Sequence, residues 1–153
     1  MSRDFLPAAN ECTCLAVRQA ARHITQFYDQ HLASAGLRTT QFSILAKLGR
    51  MGPMTINALA DELVMDRTTL GRNILPLERE GLLAIAPGRT DRRSKELHVT
   101  TAGLERLRAA RRGWSAAQAK FAKVFGDERT AGLRALLFEV SATKLPETPA
   151  ANA

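Results

Sequence analysis

The sequence predicts a mainly α fold with one small β element, and three observations point to it. Apolar side chains recur at a 3.6-residue period along both ends of the chain. Between residues 82 and 100 that period gives way to two short runs of strand type. Three shorter helical stretches, with recognisable start and stop residues, lie between.

The first helix is expected from Asn10 to about Ala35, with Val17, Ala20, Ala21, Ile24, Phe27, Tyr28 and Leu32 on its apolar face and Gly36 as its C-cap. A second follows in "TTQFSILAKLGRMG", capped by Thr39 or Thr40 and closed by Gly49 or by Gly52 and Pro53. "TINALADEL" gives a short third helix with Thr55 as N-cap and Ile56, Leu59, Ala60 and Leu63 inward. A fourth starts near Asp66 and stops at Gly81. "LLAIAP" and "KELHVT" then read as the two strands of a hairpin. Thr101 is expected to cap a long helix, broken near Gly126 and Asp127 and resumed through Val140, ahead of a frayed tail "LPETPAANA". Helix, helix, helix and hairpin in that order describe a winged helix-turn-helix over 39–100, enclosed by long helices over 10–35 and 101–143.

With 153 residues, 45% hydrophobic and 24% charged, the chain is long and apolar enough for one cored domain, which excludes bulk disorder. Its formal charge of +7 favours a polyanionic partner, nucleic acid before an anionic membrane surface. No apolar run approaches the ~20 residues of a spanning helix, so no membrane partner is expected. The N-terminus "MSRDFLPAANECTC" lacks the apolar core of a signal peptide, which predicts a cytoplasmic chain. Cys12 and Cys14 are too close for an ordinary structural bridge and too few for a zinc site, so reduced thiols and no bound metal or cofactor are expected.

On a helical wheel of the fourth helix (66–80), Leu70, Ile74 and Leu77 share a narrow arc that must face a core. The opposite arc carries Thr68, Arg72, Leu75 and Arg79, with Thr69 and Pro76 beside it. Arg67 and Asn73 complete the polar surface of the same helix. Arginine can bond two acceptors on guanine, threonine can reach phosphate or base edges, and Leu75 can meet a thymine methyl. Pro76 removes one backbone donor, so a bend is expected after the groove-facing turns. Taken alone, the helix equally fits an ordinary amphipathic surface helix with a solvated charged face.

The hairpin loop "GRTDRRSK" changes that balance. Residues 66–95 hold seven cations and four acids, a net +3, and Arg89, Arg92, Arg93 and Lys95 crowd a narrow loop tip. Such a wing (83–99) can follow the helix onto a duplex, enter the minor groove and neutralise phosphates. Asp91, two residues before Arg93, can hold that arginine in a fixed pose by charge-assisted hydrogen bonds.

The stretches "TTLGRNILPLEREGLL" and "RTDRRSKELHVTTAG" resemble the MarR family of bacterial transcription regulators, with the Asp-x-Arg wing signature at Asp91 and Arg93 and a "T-x-x-G" helix start at Thr100–Gly103. The order of helices is similar as well, over roughly residues 10–143. The resemblance implies a homodimer with interlocked terminal helices and two winged domains on double-stranded DNA. It also implies a repressor released by a small effector, commonly a phenolic or aromatic acid, or by oxidation. The residues support a dimer on their own: Leu107, Ala110, Trp114, Ala117, Phe121 and Val124 form a seam spaced by three and four, and Leu133, Leu136, Leu137 and Val140 add a second apolar face. Packing within one chain would account for the same stripe.

Ligand-binding members of the family use a crevice lined by the first, second and fifth helices, which implies Arg18, Arg22, His23, Tyr28 and Phe42 as effector-pocket candidates. A cation in an apolar crevice suits a carboxylate ligand. Arg18 and Arg22, four apart, equally fit a solvated face. Cys14 is similarly placed to the reactive thiol of the hydroperoxide-sensing branch, at a helix N-terminus that favours the thiolate. That branch carries a tyrosine where this chain has Arg18, and cysteine is also a common small packing residue. An enzyme fits poorly: His23, His31 and His98 are scattered, and no phosphate-binding glycine loop or nucleophile–base spacing is present. A winged helix that binds only protein would want a neutral or acidic recognition face, against Arg72, Arg79, Arg92 and Arg93.

Overall fold

The computed structural model describes residue 8 and residues 10–147, in two compact units divided after Ala117. The first unit holds α1 (Thr13–Leu32), a single 3-10 turn (Ala33–Ala35), α2 (Thr39–Met51), β1 (Met54–Thr55), α3 (Ile56–Leu63), α4 (Arg67–Arg79), β2 (Leu83–Pro87), β3 (Lys95–Val99) and the first four turns of α5 (Thr101–Phe125). The second holds the end of α5 and α6 (Asp127–Ala142). Of the tail expected to fray, residues 148–153 lie outside the described residues.

Each helix of the first unit starts where a side chain satisfies an orphan donor. Cys12 Sγ accepts from the Leu15 N–H at 3.4 Å, Thr55 Oγ1 from the Ala58 N–H, and Asp66 Oδ1 from the Thr69 N–H. The first helix closes at Ala33 rather than Gly36, which instead ends the 3-10 turn, and two N-caps also differ from those expected. The N-cap of α2 is Arg38 rather than Thr39 or Thr40, and Gln41 Oε1 accepts from its N–H. Thr39 instead spends both N–H and hydroxyl on Asp29 Oδ1, each at 2.7 Å, clasping α2 to α1. The N-cap of α5 is Thr100 rather than Thr101: its Oγ1 accepts from the Gly103 N–H and donates to the Gly81 carbonyl at 2.6 Å, tying the helix to the turn after α4. The helix α4 continues through Pro76 to Arg79 and closes at Glu80, with Gly81 in the left-handed region at φ 69°.

The three strands form an antiparallel sheet in the order β1-β3-β2, with Met54 opposite Leu97 and Ile85 opposite Leu97 on the other side. The two-residue β1 covers one edge of the hairpin, a pairing that the sequence did not announce. The core gathers Leu32, Ile44, Leu45, Leu48, Leu59, Leu70, Ile74, Leu77, Leu82, Leu83, Leu97 and Ala110, with Phe42, Leu107 and Trp114 packed against it. Trp114 stacks on Phe42 at 6.2 Å between ring centroids. The first half of the stripe read as a dimer seam is therefore covered within its own unit. In the second unit, Phe121 stacks on Phe125, and Arg129 lies 4.2 Å over the Phe125 ring. Val124, Leu136, Phe138 and Val140 are exposed there.

Candidate nucleic-acid interface

The inward triplet Leu70, Ile74 and Leu77 fixes the roll of α4, because three buried side chains at one helical face leave only one face outward. That outward face presents Arg67, Thr68, Arg72, Leu75 and Arg79, all exposed. None of the three arginines makes an ion pair among the described residues. They are cations without an internal partner, held on a rigid element.

Two of the polar residues expected there are already engaged. Thr69 gives its hydroxyl to Asp66 Oδ2 and its N–H to Asp66 Oδ1, so it serves the helix start first. Asn73 is half-buried and donates from Nδ2 to the Thr69 carbonyl at 2.9 Å, which leaves its side-chain oxygen as an acceptor. The Thr69 hydroxyl, followed by the Thr69 N–H, holds the Asp66 carboxyl below the usual carboxylate range. A lowered folded-state pKa gives stability above the unfolded value that is lost as pH falls through the folded one. The Tm deficit of Asp66→Ala at neutral pH is accordingly expected to shrink as pH falls through the acid range below ordinary carboxylate titration. Thermal melts of both proteins against pH check this, and a deficit that stays constant with pH would contradict it.

The wing is a compact turn. The Gly88 N–H donates to the Ser94 carbonyl, and Ser94 returns both N–H and hydroxyl to the Asp91 carbonyl. A Cβ on Gly88 would run into Ser94 Oγ and lie 2.6 Å from the Asp91 oxygen, so only glycine fits. Asp91 Oδ1 accepts from the backbone N–H of Arg93 at 3.0 Å. The carboxylate therefore shapes the loop backbone, and the expected grip on the Arg93 guanidinium is not what forms: a spacing of two residues suits the side-chain-to-backbone turn of an aspartate. Arg92 and Arg93 stay exposed and unpaired. Asp91→Asn, which keeps the acceptor and removes the charge, is expected to bind DNA at least as well as wild type. Asp91→Ala is expected to bind more weakly than Asp91→Asn; equal affinities in a titration would show that the turn is not what matters.

At the base of the wing, Arg89 Nε lies 3.8 Å from Glu96 Oε2, and His98 Nε2 lies 3.9 Å from the same oxygen. Both Glu96 Oε2 and His98 Nε2 are sealed from solvent without a hydrogen-bond partner. The alternation of "KELHV" places residues 96 and 98 on one strand face, which is the signal for this pair in the sequence.

The effector candidates do not line the depression found among the described residues. Arg18, Arg22 and His23 are exposed on α1, Tyr28 is half-buried with its ring edge-on to Phe27, and Phe42 lies under Trp114. That depression, open and of about 510 Å³, lies instead beside Asp29, Gln30, Ala33, Gly36, Leu37, Arg38 and Gln41. Cys12 and Cys14 are free and exposed. Among the described residues, no three His, Cys, Asp or Glu side chains gather as a metal site, and no helix is long and apolar enough to cross a membrane.

Comparison with known proteins gives this arrangement a family. Residues 37–95, from the start of α2 to the wing, match the model of the MarR family. The M. tuberculosis transcriptional regulator MosR is similar over 88% of this chain and 98% of its own, at 34% identity and a TM-score of 0.75. MosR solved in complex with DNA is 32% identical over 86% of this chain and 99% of its own, with a TM-score of 0.70. Bordetella bronchiseptica BpsR, whose DNA binding is regulated by 6-hydroxynicotinic acid, shares the fold at 18% identity, with a TM-score of 0.80 over 91% of this chain and 99% of its own. A comparison with curated protein sequences returns no match. With its helix-turn-helix, its wing and a similarity to MosR that runs nearly the length of both chains, the protein belongs to the MarR family of transcription regulators.

Proposed function

We propose that the chain is a cytoplasmic repressor that binds a pseudo-palindromic operator as a homodimer and leaves it when a small aromatic or phenolic carboxylate binds. The observation that carries the reading is the row of unpaired cations, Arg67, Arg72 and Arg79 on the outward face of α4 and Arg92 and Arg93 at the wing tip. In this reading α4 enters the major groove, where Arg72, Thr68 and Asn73 reach base edges, and Arg67 and Arg79 reach phosphates with Thr69 beside them. The wing follows into the minor groove through Arg89, Arg92 and Arg93, with Asp91 shaping its tip.

A homodimer formed by residues 10–35 and 101–143 is supported by apolar side chains that the chain itself leaves uncovered, including Val124, Leu136, Phe138 and Val140. A two-fold pair sets its recognition helices about one DNA turn apart, which is what a pseudo-palindrome requires. For the effector, Arg18 and Arg22 offer unpaired cations to a carboxylate, and His23, Tyr28 and Phe42 offer aromatic surface. Binding of the chain to its own upstream DNA, titrated with salt and then with a panel of aromatic acids, tests the whole reading. A steep salt dependence with release by an acid is expected, and affinity indifferent to salt would overturn it.

A second reading has its own observation. Cys12 and Cys14 are both exposed at the start of α1, open to an oxidant. A hydroperoxide would take two electrons from the Cys14 thiolate, leaving a sulfenic acid and an alcohol. Release by an organic hydroperoxide that disappears in Cys14→Ser, with no response to any acid, would favour this sensor over the ligand-gated one.

A further inference from the structure

Val64, between α3 and α4, has φ 51° and ψ 46°, and it is the one residue other than glycine with a positive φ among the described residues. The left-handed region crowds a Cβ against the neighbouring carbonyl, and a β-branched side chain tolerates it least. The backbone is nonetheless firmly held there. The Val64 N–H donates to the Asp61 carbonyl at 3.1 Å and the Met65 N–H to the Ala60 carbonyl at 2.9 Å, a Schellman closure whose left-handed position ordinarily takes glycine. Met65, the residue after it, turns back and packs against the core. Val64 is turned the other way and is 73% exposed, the most exposed large apolar side chain of the helix-turn-helix.

On the far side of the turn the chain is locked again, by the Asp66 cap on Thr69. The isopropyl group is thus anchored to rigid backbone immediately before the first turn of α4, three residues from Arg67 and four from Thr68. Neither the closure nor the core uses it. A helix of this type reads bases with its N-terminal residues, so a side chain set just in front of them borders the same stretch of major groove. There, the one apolar group that a base edge offers is the 5-methyl of thymine.

We propose that Val64 is a specificity-determining contact, packing its methyl groups on the 5-methyl of a thymine at the edge of the stretch read by α4. The proposal rests on the DNA-binding reading of that helix. The backbone strain fits such a role, since a residue that costs stability where glycine would not is expected at functional positions.

The test uses the full chain and a duplex that it selects from a random pool, with each thymine of the protected region replaced in turn by deoxyuridine. One replacement is expected to weaken wild-type binding about four-fold, the worth of one buried methyl group. Val64→Gly is expected to lose a similar factor on the unmodified duplex and nothing further on that deoxyuridine duplex, because the two changes remove one contact. Its Tm should be no lower than wild type, which separates lost contact from lost fold. Val64→Gly binding as tightly as wild type, or losing affinity equally on every duplex, would overturn the role of Val64 while leaving the recognition helix in place. A wild-type chain that selects no duplex at all would overturn the DNA-binding reading, and this contact with it.

Discussion

Gly103→Ala is expected to lower the melting temperature by roughly 5–10 °C, although alanine is the better helix former. Gly103 lies buried in the first turn of α5. A Cβ there would collide with the Leu82 carbonyl oxygen and lie 2.7 Å from Val99 Cγ2 and 3.1 Å from the Leu82 carbonyl carbon. That carbonyl cannot swing away freely, because it accepts from the Thr100 N–H at 3.1 Å, and Thr100 in turn caps α5 and holds the Gly81 carbonyl. The exchange gains at most about 1 kcal/mol in helix propensity. Overpacking against immobile backbone costs about 1–3 kcal/mol and more where nothing can shift, so a net loss of about 2–3 kcal/mol is expected. For a chain of this size each kcal/mol is worth about 2–4 °C. Gly132→Ala in α6, where a Cβ meets nothing within 4 Å, supplies the opposite sign: only the propensity gain remains, and Tm should rise. A scanning-calorimetry trace of Gly103→Ala at or above the wild-type Tm would contradict the packing argument.

The close approach at Gly103 also marks where the sequence stopped being legible. Leu70, Ile74 and Leu77 could be placed inward from spacing alone, because a helix has one period and a core accepts one face. Thr55 could be named as a cap because it stands alone ahead of its helix. At Thr39 and Thr40, and again at Thr100 and Thr101, two threonines stand side by side, and residue type cannot choose between them. Partners distant in sequence set the outcome: Asp29 takes the Thr39 N–H and hydroxyl while the cap falls to Arg38, and the Gly81 carbonyl takes the Thr100 hydroxyl. The strand β1 was hidden for the same reason: two residues form a strand only because Leu97 and Glu96 stand opposite them. At the candidate site, the outward face of α4 and the cations of the wing followed from local pattern. The carboxylate of Asp91 did not, since its residue type admits a guanidinium and a backbone N–H equally, and only the loop geometry selects the N–H. Glu96 and His98 were legible as strand residues but not as a sealed pair, because burial on that face depends on the packing around the sheet. The residues proposed for the effector were the least legible, because exposed side chains on α1 acquire a role only from what comes to cover them.

Arg72→Ala is expected to weaken binding to the selected duplex by about five- to a hundred-fold, and to do so unevenly across sequences. Arg72 stands on the outward face one turn beyond Thr68, exposed and without an ion pair among the described residues, so no internal bond has to be broken before it meets DNA. A guanidinium that bonds two acceptors of guanine is worth about 1–3 kcal/mol of discrimination, and its loss should flatten preference at a single base pair. The wing arginines should behave differently. Arg92→Ala and Arg93→Ala remove phosphate neutralisation, so affinity should fall by a similar factor on specific and random duplexes, and the slope of log K against log salt should shrink by about one for each. The same salt titration on both duplexes therefore separates reading from steering. Because Arg72 is exposed, its removal should leave stability within about 0.5 kcal/mol of wild type, and lost affinity cannot then be charged to a damaged fold. If Arg72→Ala instead lost the same factor on every duplex and flattened the salt slope, Arg72 would be one more phosphate contact. Base discrimination would then have to come from Thr68, from the free side-chain oxygen of Asn73 and from the apolar contacts of Leu75 and Val64.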